Sequence, residues 1–587
     1  MMDAEWRVYS KRADFNYLAK KYNIDPVVAR ILRNRDLTEE KDIEMYLYGT
    51  LNDCHDPHLL LDMDKAVDIM AEKIKENKKI RIVSDYDVDG VTSNYILFHA
   101  LKTIGADVSY DIPDRIKDGY GMNIRIVDEA FKAGVDTIIT CDNGIAAFSA
   151  IDKAKEYGMT VIVTDHHEIQ EKLPDADAIV DPHRDGDNYP FKGICGAMVA
   201  YKFIRCLYEK LGQKLDDREY IEFLATATVC DVMPLRDENR IYVKEGLKEL
   251  KKTKNIGYRA LLKARGLDDG RDITSYHLGF VLGPCINAEG RLSSAVNALN
   301  LFLSEDEDEA YSMALQASEI NDERKKMTEE GTKTAISMVA EDEDLSKDNV
   351  LVLYISGLHE SLAGIVAGRV REAFYKPVIV FTDAENNDEF LKGSGRSVEG
   401  YNMFEELCKV SDLQDHFGGH PMAAGTTIPK DNLLEFRKKL NENENISLDV
   451  LTQKIYIDVP MPLSYPTIGL IRQLEELSPF GTANERPLFA EAGLLVTGAR
   501  IFGKNSNVMK IAVKEKDGRT AELTSFDVQG FTDYIKKWFS LDQCDKMLKG
   551  IPSDIVLDMA YQPGINEYNG RISVQNILKA YRIHEDK

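Results

Sequence analysis

Between residues 79 and 181 short β-branched apolar runs alternate with stretches of helical period. KIRIVSD, ADVSYDIP, VDTIITCD, MTVIVTD and DAIVDP read as strands, and TSNYILFHALKTIG and IAAFSAIDKAKEYG as helices. This alternation predicts a parallel, doubly wound α/β sheet, in which ligands bind outside the carboxyl ends of the strands. Residues 305–345 are rich in helix formers and predict a long connecting helix, with Gly331 as a candidate interruption. VLVLYI, SLAGIVAGRVREAF and KPVIVF then predict a second α/β unit over 346–445, which also carries the glycine-rich stretches KGSGRS and HFGGHPMAAG. From 446 to 587 the segments are strand-like, with hairpin signals at Asp517-Gly518 and Asn569-Gly570, and predict an OB-type β-barrel. The expected organisation is completed by a first α/β domain over 79–304, with residues 1–78 packed on it.

A chain of 587 residues, 44% apolar and 29% charged, has the composition of an ordinary multidomain soluble protein. It has no run of 18 apolar residues and no signal-like N-terminus, so a cytoplasmic monomer without a membrane role is expected. Eight cysteines without a C-x-x-C pair read as reduced, mostly buried thiols rather than zinc ligands or disulfides. A net charge of −25 argues against a general polyanion binder. Residues 240–265 depart from that balance, with nine Lys/Arg against Glu245 and Glu249. The run, including Lys251, Lys252 and Lys254, reads either as a solvated helix face or as a local track for a polyanion.

The first strand ends in Asp85-Tyr86-Asp87-Val88-Asp89-Gly90, three carboxylates one residue apart. An EF-hand loop would need a bidentate Glu at its twelfth position, where Ile96 stands, and its flanks would be helices. Turn formation or capping accounts for one Asp at a strand end, but the pattern recurs. Asp142 ends TIITCD, Asp165 ends VIVTD before His166 and His167, and Asp231 follows the apolar FLATATVC. Carboxylates gathered at neighbouring strand ends cannot all ionise without counter-charge. Oxygen ligands with one imidazole suit Mn²⁺ or Mg²⁺ better than zinc, and a pair of such cations serves phosphoester hydrolysis.

The ordered set SDYDVDG, TCDNG, TDHH and CDVMPL resembles the DHH phosphoesterase superfamily. Further motifs, INAEGRLSSA, GLHESLAGIVAGRV, GSGRS, FGGHPMAAG and LSPFGTANERPLF, are similar to its RecJ family of single-strand-specific 5′→3′ DNA exonucleases. The resemblance implies two divalent cations, one held by Asp87 and Asp142 with Asp85 near it. The other would be held by Asp89, Asp142, His166 and Asp231. It further implies His167 at the scissile phosphate or in proton transfer, and Arg291, Arg396, Ser397 and His420 as phosphate or DNA ligands. The glycines at 393, 395, 418 and 419 would lie close to a phosphate, and Tyr561 and Tyr568 are candidate base-stacking residues on the barrel. The implied activity is two-metal hydrolysis of single-stranded DNA to mononucleotides in recombination and repair. A RecQ-type helicase and a single-strand-binding protein are the implied partners. Glu289, Leu358, Ser361 and Leu362 depart from residues common in that family and bear on substrate handling rather than chemistry.

Two other readings compete. A phosphodiesterase acting on short oligonucleotides or cyclic dinucleotides would share the metal motifs but lack the barrel. A noncatalytic scaffold of the Cdc45 type would have lost metal ligands, all of which stand here.

Overall fold

The first sheet has the strand order Val108–Asp111, Ile80–Ser84, Thr137–Cys141, Thr160–Thr164, Ala178–Val180. Every neighbouring pair is parallel. Strand Thr137–Cys141 is buried throughout, which explains why its sequence runs apolar without alternation. Ile82, Ile139 and Ile162 face helices Val88–Thr103 and Gly196–Lys210. Val83, Ile138 and Val161 face Ile124–Lys132 and Phe148–Glu156 on the other side. The order reverses between strands Ile80–Ser84 and Thr137–Cys141, the switch point at which open α/β sheets bind ligands. Register aligns Ser84 with Cys141, Cys141 with Thr164, and Thr164 with Val180, so the loops carrying the motif residues leave the sheet side by side.

The computed structural model describes residues 4–169, 172–385, 387–442, 446–503, 505–568 and 570–585. They form two units, Gly49–Leu451 and Met1–Tyr48 with Thr452–Lys587. Within the first unit, Glu307–Glu341 is one uninterrupted helix of 35 residues, started by Asp306, whose side chain accepts from the Asp308 and Glu309 amides. Gly331 does not break it. A Cβ there would lie 3.1 Å from Leu358 Cδ1 and 3.2 Å from Val366 Cγ2, so the glycine lets helix Ala363–Phe374 pack closely. The second sheet runs His416–His420, Ala423–Pro429, Phe390–Arg396, Val378–Asp383, Leu351–Tyr354. Only its last pair is parallel. The glycine-rich stretches form strands in this sheet.

In the other unit, strand Phe489–Phe502 pairs with both Val508–Lys514 and Val556–Tyr568, which closes a β-barrel. The Asn569 half of the second hairpin signal and the Tyr568 side chain lie outside the described residues. Tyr561 is buried and donates to the Met461 and Pro462 carbonyls, so it offers no stacking face. The expectation that residues 1–78 pack together on the first α/β domain is corrected. Tyr22, Val28, Ile31, Leu32, Ile43 and Tyr46 share a core with the barrel residues, and strand Glu5–Val8 pairs with Lys454–Ile457. Only the part from Gly49 onward belongs to the first unit. The amphipathic pattern of these short helices announces an apolar face but not its partner. All eight cysteines are free, with Cys408 exposed. Among the described residues no helix is long and apolar enough to cross a membrane.

Candidate active site

The turn after Ser84 converts strand into helix within three residues. Asp87 caps helix Val88–Thr103, its Oδ1 accepting from the Gly90 amide at 3.1 Å. A Cβ on Gly90 would come within 2.2 Å of the Asp85 carbonyl oxygen, so only glycine allows the turn to be this tight. Asp89, in the first helical turn, accepts from the Gly196 and Ala197 amides at 2.6 and 2.8 Å, the N-terminus of helix Gly196–Lys210. Gly196 is needed there because a Cβ would lie 2.7 Å from Asp142 Cβ. Asp142 itself has φ 59°, a left-handed conformation that costs about 1 kcal/mol and is held by its surroundings.

His166 Nε2 lies 3.1 Å from Asp142 Oδ1, 3.5 Å from Asp89 Oδ2 and 3.6 Å from Asp231 Oδ2. Three groups of candidate donors result among the described residues, Asp85–Asp87–Asp142, Asp89–His166–Asp231 and Asp142–His166–His167, each with donor atoms within 4.8 Å of one another. Asp231 arrives differently from the sequence expectation. FLATATVC belongs to helix Arg218–Cys230, and Asp231 caps its C-terminus. The helix is buried on nearly every side, which hides its period.

Burial, with the charge of Asp87, pushes the Asp85 carboxyl well above the usual range. Asp142 is pushed up by burial and by Asp89, Asp87, Asp231 and Asp85, and Asp89 and Asp231 by burial and their neighbours. His166 is lowered by burial. Asp85 Oδ1 and Asp231 Oδ2 are buried without a hydrogen-bond partner. Carboxylates that repel, orphaned acceptors and a neutral imidazole form a donor set that fits hard divalent cations.

His167 joins Asp142 and His166 in the third of these groups and is anchored by further contacts. Its Nδ1 lies 2.8 Å from Asp165 Oδ1, and its ring lies 3.2 Å from the Tyr120 hydroxyl, which donates to the Asp142 carbonyl at 2.9 Å. Burial works against the charged imidazole, but the bond to Asp165 and nearby carboxylates win, and His167 is pushed up to about 9. Asp165 spends its other oxygen on the Ile145 amide, so it orients rather than ligates. Sequence reasoning passed over Tyr120, Asp181 and Arg115. Asp181 ends strand Ala178–Val180, buried, and burial and Asp165 push it up to about 8. Arg115 stacks 3.8 Å from the Tyr86 ring centroid, with its Nε buried and unpartnered. Both follow the carboxyl ends of sheet strands, a signal that was available.

Arg291 donates to the Ser361 carbonyl at 2.7 Å. Burial and the like charges of Arg115 and Arg324 push its guanidinium down to about 9, so the pocket favours an anion. Arg396 reaches the same turn from the second sheet. A Cβ on Gly364 would lie 2.7 Å from its Nη2. Burial and Arg371 lower Arg396 too. His420 is exposed and shares a register row with Arg396 through Ala423. Ser397 is corrected. Its hydroxyl is buried and donates to the Tyr401 carbonyl at 2.6 Å, so it is not offered to a ligand. Gly393 and Gly395 make room for Phe381 and Met403 rather than for a phosphate.

The basic run lies elsewhere. Lys251 pairs with Asp272 at 2.6 Å and Lys252 with Glu249 at 3.1 Å. Both line a cavity of about 590 Å³ with Arg259, Lys263 and Tyr311, and Lys254 is exposed. Thr253, between these lysines, donates to Glu222. Nine residues of helix, about 13 Å, separate Glu222 from Asp231.

Metal-ligand triads at the switch point of a doubly wound sheet, with a second α/β domain supplying arginines, define a DHH-type phosphoesterase. Residues 79–228 match the DHH family N-terminal domain, 347–445 the DHHA1 domain and 457–580 the RecJ OB domain. The single-stranded-DNA-specific exonuclease RecJ of Bacillus subtilis is 35% identical over 97% of this chain and 69% of its own length. That of Escherichia coli is 30% identical over 94% of this chain and 95% of its own. The chain belongs to the RecJ family. Among solved structures, RecJ in complex with Mn²⁺ from Thermus thermophilus has a TM-score of 0.82 at 25% identity, covering 100% of this chain and 81% of that one. An exonuclease RecJ bound to manganese has 0.57 at 31% identity, covering 65% and 94%.

Proposed function

We propose that this protein is a metal-dependent exonuclease that hydrolyses single-stranded DNA from the 5′ end to mononucleotides. The observation that carries the reading is the convergence of Asp85, Asp87, Asp89, Asp142, His166 and Asp231 at one switch point. Asp85, Asp87 and Asp142 would hold one divalent cation, and Asp89, His166, Asp231 and the shared Asp142 a second, Mn²⁺ or Mg²⁺ in kind. When bound, the cations supply Lewis acidity and counter-charge at the scissile phosphodiester.

The chain's own groups do the rest. Asp165 fixes His167 through Nδ1, and Nε2, which rests 3.2 Å from the Tyr120 hydroxyl, would turn from that oxygen to hold and deliver a proton at the leaving oxygen. Tyr120 ties that ring to the Asp142 backbone. Arg291 and Arg396 bind and orient phosphate beside the turn at Ser361 and Gly364, which sets where the strand end stops. Glu289 is buried and accepts from Asn297. Action in the cytoplasm, in recombination and repair, beside a RecQ-type helicase and a single-strand-binding protein, belongs to the same proposal.

The test is digestion of 5′- and 3′-labelled single strands with Mn²⁺, Mg²⁺ or chelator. The expected result is metal-dependent release of labelled mononucleotide from the 5′-labelled strand first. Release from the 3′ end first, or unchanged activity in chelator, overturns the proposal.

A further inference from the structure

Two large aromatic side chains stand in solvent beside the metal-ligand cluster. Tyr276 is 63% and Phe280 67% exposed. Their rings stack on each other, centroids 5.2 Å apart and 22° from parallel, with the His277 ring edge-on to Tyr276. Single exposed apolar residues need no explanation, but a stacked pair is a rigid apolar surface held open to water.

The backbone that presents them is unusual. A short helix at Ser275–His277 continues as a π-helical turn, Leu278–Leu282, before the helix Gly283–Leu292. Such turns add a residue to the helical repeat and recur at functional sites. Here the turn buries Leu278 and Leu282 in the core and leaves Tyr276 and Phe280 outside.

The turn is clamped to the residues that carry Asp231. The Cys230 thiol donates to the Leu278 carbonyl at 3.6 Å. A Cβ on Gly283 would come within 2.3 Å of Cys230 Sγ, and one on Gly279 would touch Val229. Val232, next after Asp231, is itself exposed with a left-handed backbone. At its other end the same helix meets the Asp85–Asp89 turn, because a Cβ on Gly290 would lie 2.4 Å from the Tyr86 carbonyl oxygen. It then presents Arg291. One helical rod thus runs past the metal ligands, an anion-binding arginine at one end and a bare aromatic pair about 16–22 Å away at the other.

We propose that the Tyr276–Phe280 pair is a stacking platform for unpaired nucleobases of the strand whose backbone is held at the metal-ligand cluster. The inference rests on the proposed function. Aromatic rings accept any base by its π-face, as a nuclease without sequence preference requires, and the platform continues the phosphate-binding surface along the same helix. A paired base has both faces covered, so only single strands can use it.

The experiment measures binding in chelator of ordinary and abasic single strands to the wild-type protein and to Y276A/F280A, with cleavage in Mn²⁺ alongside. Wild type should bind the abasic strand about tenfold or more weakly than the ordinary one, and the double variant should bind both equally weakly. Its KM should rise by a similar factor while kcat at saturation stays near normal, and Tyr276→Phe with Phe280→Trp should restore binding. The platform is refuted if the double variant binds as wild type does, or still discriminates against abasic strands. It is also refuted if the double substitution changes only self-association measured by sedimentation. A wild type that binds with base discrimination but never cleaves overturns the nuclease reading and leaves the platform standing.

Discussion

Replacing Asp142 by Asn separates metal binding from folding. Asn keeps the shape and tolerates the left-handed backbone at φ 59°, where Ala would add strain. Asp142 shares donor distances within 4.8 Å with Asp85 and Asp87, and at such a distance two full charges repel by about 3.5 kcal/mol at an effective dielectric of about 20. Protonation relieves part of this in the metal-free protein, which is why burial and four neighbouring carboxylates push Asp142 so far up. The metal-free Asn variant should therefore be more stable than wild type, by about 1–3 kcal/mol. With metal the order reverses. A cation at about a thousandfold its Kd stabilises wild type by about 4 kcal/mol, and a variant missing the shared ligand should gain much less. Thermal unfolding with chelator and with Mn²⁺, beside isothermal titration and strand digestion, reads all three quantities. Cleavage should be lost. An Asn variant less stable than wild type in chelator, or one gaining as much from Mn²⁺, would refute the shared-ligand reasoning.

Arg396→Ala should lower cleavage of long single strands about ten- to a hundredfold, the worth of a charge-assisted phosphate contact, with Mn²⁺ affinity unchanged by titration. Neutralising Lys251, Lys252 and Lys254 together should leave the salt dependence of strand binding unchanged, because Lys251 and Lys252 are paired with carboxylates and line a separate cavity. A slope reduced by about 0.7 per residue would instead put the strand on that face. Glu222 is buried beside Thr253, and burial pushes its carboxyl up to about 7 from 4.5. The folded protein therefore holds a proton that the unfolded chain releases, and stability falls as pH rises from 4.5 to 7, by about 3 kcal/mol. Glu222→Gln should remove that fall, matching wild type below pH 4.5 and exceeding it above pH 7 in thermal scans.

The strand-helix alternation of residues 79–181, the long helix and the metal-ligand set were legible because each is written locally. Period, turn chemistry and carboxylates at strand ends survive in a linear reading. The sequence also placed Asp85, Asp87 and Asp89 together at the start of one helix, where the structure gathers them with Asp142, His166 and Asp231.

What remained was decided by packing between distant segments. Residues 4–48 carry an apolar face whose partner, the barrel core, lies at the far end of the chain. Ser397 turns inward to Tyr401 and Gly331 receives Leu358, outcomes no local pattern specifies. Thr253, among Lys251, Lys252 and Lys254, meets Glu222, which the length of helix Arg218–Cys230 separates from Asp231. Tyr276 and Phe280 stand in solvent while Leu278 and Leu282 of the π-helical turn are buried, with Leu278 held against Cys230. A sequence specifies local preference and chemistry. Which buried face meets which, and which polar group is left without a partner, depends on the three-dimensional closure that brings remote residues within a few ångströms.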